Sequence, residues 1–301
     1  MIGARDFAAP ADLRAMQEVV ARCWQTESPL VRFHIGDLAW QYSHQGRERE
    51  WRIRIWEDGE DGPVGWAWLR PPEHAEVVAL PRRRGRLMPE MVRWLADEAS
   101  TAGGRRLLVG ALDRDARTLG ALEVEGFRPA PEPQLDVMLT GLDGRLPEPA
   151  LERGFRARAV TGPEDLPGVV GVHGAAFSVF APSRVTEASY RNVMAAWPYR
   201  PELHWVVEAE DGRLVSSCLA WLDEQNAVGE LEPVATDPAW WRRGFARAAC
   251  AGALRALREH GASTAIVCAA DVPGKPPAST LYRSLGFRPS AREITLVRPL
   301  G

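Results

Sequence analysis

The stretch LEPVATDPAWWRRGFARAACAGALRALREHG, residues 231–261, contains the pattern that decides the fold. It opens like a strand, breaks at a proline, and then runs two arginines into Gly244 at the start of a helical pattern. Apolar residues recur at helical spacing up to His260, and the next residue, Gly261, is of the type that commonly ends a helix. A strand that leads through a glycine turn into a helix leaves unpaired backbone N–H groups at the positive end of the helix dipole. We therefore expect an anion to bind at this turn.

The turn has a composition that suits a phosphate or pyrophosphate. Gly244 and Ala246 are small enough to let a phosphate reach the backbone, and three arginines carry positive charge. The residues predicted to contact the anion are Arg242, Arg243, Gly244, Phe245, Ala246 and Arg247. The alternative is a solvated arginine pair without a ligand, because short glycine motifs often occur by chance. Neither a Walker loop nor the GxGxxG pattern of dinucleotide-binding proteins is present.

The two halves of the chain match each other. PADL at 10–13 corresponds to PEDL at 163–166, EDG at 57–59 to EDG at 210–212, and AWL at 67–69 to AWL at 220–222, always 153 positions apart. Further on, RRG ending at Gly85 recurs at Gly244, and GFRP starting at Gly126 recurs at Gly286. This consistent order indicates a duplicated domain. The join lies in the Gly- and Pro-rich stretch 141–154, so we predict domains at 1–145 and 146–301.

Each copy is predicted to be a mixed α/β domain with a mostly antiparallel sheet flanked by helices. The second copy shows strand patterns at 204–210, 213–222, 228–236, 263–270 and 292–300. Its helical patterns cover 165–177, 244–260 and 277–285. The predicted fold class is therefore α/β, with two tandem domains.

Composition narrows the class of protein. The 301 residues carry a formal net charge of −3, which gives no basic field for nucleic acid. No segment has the length and apolarity of a signal peptide or a membrane span, so a soluble, cytoplasmic protein is expected. The four cysteines are scattered, and the six histidines show no metal-binding spacing. We expect neither disulfides nor a metal site.

Residues 155–300 resemble the GNAT acyltransferase superfamily. Its acyl-CoA signature is a strand, R/Q-x-x-G-x-G/A opening a long helix, another strand, and a short helix with a Tyr followed by Gly-Phe. VATDPAWWRRGFA at 234–246 is similar to the first part, and ASTLYRSLGF at 278–287 to the last. Two positions depart: the first R/Q is Trp241, and an Asn often found seven residues before the Tyr is Lys275.

The resemblance implies that acetyl-CoA is the co-substrate of the second copy. Backbone amides of the turn would bind its pyrophosphate, and Val234, Ala235 and Thr236 lie on the strand that would pair with the pantetheine arm. Lys275 stands where the family contacts pantetheine by a side chain. In the first copy Leu87 replaces Ala246, which would crowd a phosphate, so this copy is expected to be degenerate and structural.

The resemblance also implies the catalytic roles. Tyr282 stands where the family places its general acid, and its phenol could protonate the departing thiolate. The alternative for Tyr282 is a tyrosine that only packs its ring. The equivalent residue of the first copy is Leu122, which carries no proton. A backbone N–H near Val234 is the expected donor to the oxyanion.

A general base is less sharply indicated by the residues. Glu230 and Glu232 alternate along a predicted strand, so both point to one face. Either carboxylate could deprotonate the acceptor, and the pair could bind its ammonium group; the alternative is a structural pairing with an arginine. Tyr190, Trp197 and Tyr199 are candidates for an aromatic acceptor pocket, although such residues also commonly cover a core.

The function predicted from these features is acetyl-CoA-dependent N-acyltransfer to the primary amine of a small molecule, by a monomer or homodimer. One alternative is a non-catalytic acyl-CoA-binding or regulatory protein, which Tyr282→Phe would discriminate. Another is an aminoglycoside-type antibiotic modifier with an acidic pocket, for which Asp223 would join Glu230 and Glu232.

Overall fold

The computed structural model describes residues 1–8, 10–44, 50–179 and 182–301. Its strands are β1 (Ile2–Asp6), β2 (Arg52–Asp58), β3 (Gly62–Arg70), β4 (His74–Ala79), β5 (Arg106–Leu112), β6 (Arg128–Pro129), β7 (Leu135–Gly141), β8 (Phe155–Ala159), β9 (His204–Ala209), β10 (Leu214–Asp223), β11 (Val228–Thr236), β12 (Thr264–Ala269) and β13 (Arg288–Pro299). Its helices are α1 (Pro10–Glu27), α2 (Ile35–Ser43), α3 (Arg84–Thr101), α4 (Ala116–Val124), α5 (Leu166–Phe177), α6 (Glu187–Ala195), α7 (Phe245–Glu259) and α8 (Ala278–Ser284).

The chain forms two compact units that are interleaved in sequence. Unit 1 comprises the described residues within 1–34, 47–135 and 291–301, and unit 2 those within 35–46 and 136–290. Unit 2 therefore contains α2 from the first half of the chain, and unit 1 contains most of the final strand. The domain boundary predicted at 145/146 refers to the repeated copies and stays a prediction.

The sheets of the two units have the same strand order. Unit 1 has the order β1-β2-β3-β4-β5-β13, and unit 2 the order β8-β9-β10-β11-β12-β7. One neighbouring pair in each order is parallel, β4–β5 and β11–β12, and the other pairs are antiparallel. Each unit thus takes its closing strand from the other half of the chain. The predicted fold class, mixed α/β with a mostly antiparallel sheet, is confirmed.

The sheet of unit 2 has an apolar core on each face. Strand β10 is buried along its whole length, and its side chains alternate between the faces as a strand requires. Cys218, Ala220 and Leu222 pack with α7 and α8, whereas Leu219 and Trp221 pack with α2, α5 and α6. Helix α7 is rich in alanine, which has the best intrinsic helix propensity, and its alanines bury against the sheet.

Helix α6 was not predicted. Its N-terminus is fixed by a capping box in which Thr186 and Ser189 bond each other's backbone N–H groups. The usual signature of this motif ends in Glu or Gln rather than Ser, so the sequence signal was weak. Among the described residues, no helix combines the length and the apolar character needed to cross a membrane.

Candidate active site

Strands β11 and β12 separate partway along their length. They pair in parallel over Val228–Glu230 and Thr264–Ile266, after which β11 continues to Thr236 and β12 to Ala269. An unpaired strand edge of this kind can accept an extended chain through its backbone hydrogen-bonding groups. The parting strands form a slot, and Glu230 lies at its closed end.

The same part of β11 is irregular on its other side, towards β10. Leu231 lies opposite Ala220 and Val234 opposite Cys218, so Glu232 and Pro233 together face a single residue. Such a bulge re-aims side chains, and the proline has no N–H to give to a ladder. Beyond the bulge, Val234 and Thr236 are partly exposed and Ala235 is buried.

The turn between β11 and α7 presents open backbone donors. Arg242 and Gly244 both have positive φ, at 66° and 82°, and Gly244 is the N-cap of α7. Within the described residues, nothing accepts a hydrogen bond from the backbone N–H groups of 242–247. Successive N–H groups around left-handed residues at a helix N-terminus form a concave anion-binding surface. The local geometry therefore fits a phosphate group.

The three arginines of this turn are not equivalent. Arg243 binds Glu152, with Nε 2.8 Å from Oε1, and its guanidinium lies 4.7 Å from the centre of the Trp240 ring. Arg242 is exposed and Arg247 is half-buried, and neither forms an ion pair with another described residue. Arg243 is therefore engaged within unit 2, whereas Arg242 and Arg247 can turn their charge towards a ligand.

The two positions that depart from the GNAT signature lie together. Trp241 donates a hydrogen bond from its indole Nε1 to the carbonyl oxygen of Thr236, at 3.0 Å. Lys275 places its ammonium nitrogen 5.9 Å from the centre of the Trp241 ring. The indole thus fixes the end of β11 against the turn, and Lys275 adds positive charge beside it.

Tyr282 lies on α8 and is 6% exposed. Its ring packs edge-on against Phe287, with ring centres 5.8 Å apart. Burial raises the pKa of Tyr282 well above its ordinary value, and the neighbouring Cys250 and Glu232 act in the same direction. The phenol therefore keeps its proton through the neutral range and can donate it. Both predictions for this residue, a packed ring and a proton donor, fit the same geometry.

Three carboxylates meet at the slot. Oxygen atoms of Asp37, Glu230 and Glu232 all lie within 4.8 Å of one another. Glu230 is 2% exposed, whereas Glu232 is half-buried and is the member of the group that influences Tyr282. The indole Nε1 of Trp221 donates to the carbonyl oxygen of Glu232 at 2.6 Å and fixes the backbone there. The predicted pair of carboxylates is thus a group of three.

Sequence reasoning missed Asp37. It lies in the first turn of α2, almost two hundred positions before Glu230, and no local motif marks it. Its helix packs closely on β10, because a methyl group added at Gly36 would overlap the indole of Trp221. The one sequence signal is an acidic residue inside an otherwise apolar segment, IGDLAW at 35–40.

The other candidate residues lie in different surroundings. Asp223 accepts hydrogen bonds from the backbone N–H groups of Gln225 and Asn226, so it stabilises the turn after β10. Tyr190 is 1% exposed within the apolar core, and burial raises its pKa well above the ordinary value. The phenol of Tyr199 lies 3.3 Å from Nδ1 of His204. Trp197 is 47% exposed.

In the corresponding turn of unit 1, the positive charges of the arginines are paired with carboxylates of the same unit. Arg84 forms a bidentate ion pair with Glu27, at 2.9 and 2.6 Å, and both side chains are 9% exposed. Arg83 binds Asp58 and Asp61. A cavity that Arg84, Glu27 and Cys23 help to line has a volume of about 40 Å³, room for a few water molecules. Leu87 and Leu122, the counterparts of Ala246 and Tyr282, are both buried, and the degeneracy of this copy stays a prediction.

Comparisons with known proteins agree with this geometry. A family model described as the acetyltransferase (GNAT) family matches residues 175–287. A GCN5-related N-acetyltransferase from Sphaerobacter thermophilus is similar over 99% of this chain and 96% of its own, with 19% identity and a TM-score of 0.62. A tandem GNAT protein from the clavulanic acid biosynthesis pathway is similar over 100% and 99%, with 14% identity and a TM-score of 0.67.

A third structure, the N-myristoyltransferase of Saccharomyces cerevisiae with bound myristoyl-CoA, is similar over 99% of this chain and 79% of its own, with 14% identity and a TM-score of 0.61. A sequence search of curated proteins found no match. The family match lies in the half that contains the slot, the open turn and Tyr282, and the structural likeness extends over the whole length. Residues 175–287 therefore match the GNAT acetyltransferase family, and the chain as a whole has the fold of a tandem GNAT protein.

Proposed function

We propose that the protein transfers an acetyl group from acetyl-CoA to the primary amine of a small-molecule acceptor. The observation that carries this proposal is the parting of β11 from β12 after Glu230 and Ile266. The slot lies in the same unit as an anion-binding turn, a buried phenol and three carboxylates. These are the elements that N-acyl transfer requires: a place for the thioester, a proton donor and a proton acceptor.

The residues of unit 2 fit acyl-CoA. The open N–H groups of 242–247, with Arg242 and Arg247, would hold the pyrophosphate, and Lys275 would add charge beside it. The pantetheine arm would lie along the free edge of β11 from Val234 to Thr236. Glycine at position 244 leaves the approach open, since no atom lies within 4 Å of where a side chain would begin.

Two side chains would serve as the general base and the general acid. Glu232 is the favoured base, because it is partly exposed and lies close enough to Tyr282 to influence it. It would take a proton from the acceptor ammonium, whose nitrogen then attacks the thioester carbonyl. As the C–N bond forms and the C–S bond breaks, Tyr282 would give its proton to the departing thiolate, and the second proton of the attacking nitrogen would return to the Tyr282 phenolate, which leaves a neutral amide. The backbone N–H near Val234 is proposed to stabilise the carbonyl oxygen.

This proposal is tested by steady-state acetyl transfer with Tyr282→Phe and, as a matched control, Tyr190→Phe. Both tyrosines are buried in unit 2 and have raised pKa values. We expect Tyr282→Phe to lower kcat by about a hundred-fold while leaving acetyl-CoA binding intact. Tyr190→Phe should change kcat little.

A wild-type protein that binds acetyl-CoA without transferring its acetyl group to any amine would contradict the proposal and favour a non-catalytic acyl-CoA-binding protein. Equal losses in the two variants would remove Tyr282 from its proposed role. The same proposal places the protein in the cytoplasm, where acyl-CoA is formed, as a monomer or homodimer without nucleic-acid partners.

A further inference from the structure

The side chain of Trp221 holds the backbone from which the proposed base extends. Trp221 is fully buried on β10, and its indole Nε1 donates to the carbonyl oxygen of Glu232 at 2.6 Å. Two residues further along β11, Val234 has the backbone N–H that is proposed to stabilise the thioester oxyanion. One buried hydrogen bond therefore lies beside both the proposed base and the proposed oxyanion donor.

The bulge in β11 explains why a side chain supplies this hydrogen bond. Glu232 and Pro233 together face a single residue of β10, whereas Leu231 and Val234 are paired one to one. A bulge interrupts the ladder of backbone hydrogen bonds, and a proline has no N–H to contribute to it. The indole N–H gives the Glu232 carbonyl a donor at the point where the ladder is interrupted.

The indole of Trp221 is itself kept in place by its neighbours. The backbone of α2 lies directly against it, because a methyl group added at Gly36 would overlap the ring. The ring of Tyr199 stands edge-on to it, with ring centres 6.3 Å apart and an angle of 72° between the planes. The Tyr199 hydroxyl lies 3.3 Å from Nδ1 of His204, whose Nε2 lies 2.8 Å from Oγ of Ser217. Packing and hydrogen bonds thus restrict the direction of the indole N–H.

Unit 1 offers an internal comparison. Trp68 and Trp221 are the central residues of the repeated AWL, and Trp68 is also fully buried. Strand β4 pairs with β3 one to one along its whole length, without a bulge. The Nε1 of Trp68 has no hydrogen-bond partner within the described residues. The same tryptophan thus has an acceptor for its N–H only in the unit whose strand is bulged.

We propose that Trp221 is a positioning residue for acetyl transfer, which orients the Glu232 carboxylate and the Val234 N–H through its hydrogen bond to the Glu232 carbonyl. This inference rests on the proposed function. The carbonyl belongs to the planar peptide group between Glu232 and Pro233. Because the proline ring fixes its own φ, only one free backbone torsion separates this plane from the N–H of Val234. On the other side, the ψ torsion of Glu232 alone separates the plane from the Cβ of that residue.

Trp221→Phe removes the indole N–H while it keeps an aromatic ring at the position. We expect kcat for acetyl transfer to fall about ten-fold, the effect of one lost hydrogen bond. The Kd for acetyl-CoA should stay within about two-fold, because Trp241 holds the far end of β11 independently through the carbonyl of Thr236. Trp68→Phe is the matched control: it removes an N–H that has no partner among the described residues, so kcat should stay within about two-fold.

Two further measurements do not depend on the folding of Trp221→Phe. Incorporation of benzothienylalanine at position 221 replaces the indole N–H by sulfur and keeps the shape of the ring, so the protein should fold as the wild type does and show the same fall in kcat. In the wild type itself, NMR should detect a nuclear Overhauser contact between the indole N–H proton of Trp221 and the α-proton of Glu232, since the donor and acceptor atoms are 2.6 Å apart.

A normal kcat in Trp221→Phe or with benzothienylalanine, or equal losses in Trp221→Phe and Trp68→Phe, would overturn the proposal. A loss of acetyl-CoA affinity as large as the loss of kcat would also contradict it, because Trp221 would then support the binding site as a whole. If the wild type acetylates no amine, the proposed function fails by itself. The Overhauser contact then decides whether Trp221 holds Glu232: its presence supports that hold, and its absence overturns the inference.

Discussion

Arg84 and Glu27 form a two-pronged ion pair in unit 1, with nitrogen–oxygen distances of 2.9 and 2.6 Å. Arg84 stands at the start of α3, in the turn that corresponds to the open turn before α7. Glu27 binds Arg84 just as Glu152 binds its counterpart Arg243 in unit 2, whereas Arg83, the counterpart of the ligand-facing Arg242, binds Asp58 and Asp61. The ion pairs of Arg83 give a physical reason for the degeneracy expected of the first copy, which stays a prediction.

Removing one partner of this buried pair should be costly. We expect Glu27→Gln to lower the free energy of unfolding by about 3 kcal/mol, because Arg84 remains buried without its counter-charge. Asp211→Asn, which breaks the exposed Arg213 pair, should cost less than about 1 kcal/mol. Urea denaturation of both variants measures the difference. Losses of equal size would show that the Arg84 pair is screened like a surface pair.

The arginines of the open turn should separate into two classes. We expect Arg247→Ala to weaken acetyl-CoA binding by about ten-fold, with an effect that shrinks at high salt. Arg243→Ala should instead lower stability by about 1 kcal/mol, because Arg243 binds Glu152 and lies over aromatic rings. Calorimetry and urea denaturation separate the two effects. A larger loss of affinity in Arg243→Ala than in Arg247→Ala would reverse this assignment.

The seating of α2 can be tested with one methyl group. Gly36→Ala should lower the free energy of unfolding by about 1–3 kcal/mol, because the added methyl overlaps the Trp221 indole. Gly171→Ala in α5 is the matched control, since no atom lies within 4 Å of its new methyl and alanine favours a helix by up to about 1 kcal/mol. A Gly36→Ala protein as stable as the wild type would mean that α2 can shift away from Trp221.

Acid should destabilise unit 2 through a buried histidine. Burial lowers the pKa of His173 to about 4, with a smaller contribution from His44. The unfolded chain takes up a proton below the ordinary pKa of 6.5 while the folded chain does not, so stability falls as the pH drops from 6.5 towards 4. His173→Phe should be well tolerated at neutral pH, because the ring stacks on Phe177 and its buried Nδ1 has no partner among the described residues.

The measurement is the free energy of unfolding between pH 7 and pH 4. As the pH falls, the free energy of unfolding should decrease less steeply in His173→Phe than in the wild type. The two slopes should differ by up to about 1.4 kcal/mol per pH unit. Some slope should remain, since burial also lowers the pKa of His204, to about 3. Identical slopes would contradict a neutral, buried His173.

Much of unit 2 could be predicted, because local pattern and packing agree there. The strand predicted at 228–236 has the same first and last residues as β11. The residue pattern of the strand and the turn that follows it mark both ends in the sequence. The helix from Gly244 to His260 agrees with α7 and its two caps, because alanines and leucines repeat on one face. The role of Tyr282 came from resemblance and stays a prediction.

The missed features depend on contacts between distant segments. Nothing in the sequence around Asp37 tells which sheet its helix covers, because helical periodicity gives the buried face but not the partner. Strands β7 and β13 have ordinary strand patterns. The sequence therefore could not predict that each of them joins the sheet formed mainly by the other half of the chain. From the sequence, Arg243 was predicted to contact the anion in the same way as Arg242 and Arg247. Its ion pair with Glu152, ninety-one positions away, is a contact that only the structure shows.

The most direct test of the central claim is a calorimetric titration of the full chain with acetyl-CoA. The account predicts saturation at one equivalent per chain, since unit 2 has an open turn and slot and unit 1 has Arg83 and Arg84 paired internally. Two equivalents would contradict the closure of unit 1. No binding at millimolar acetyl-CoA would contradict the acyltransferase function itself.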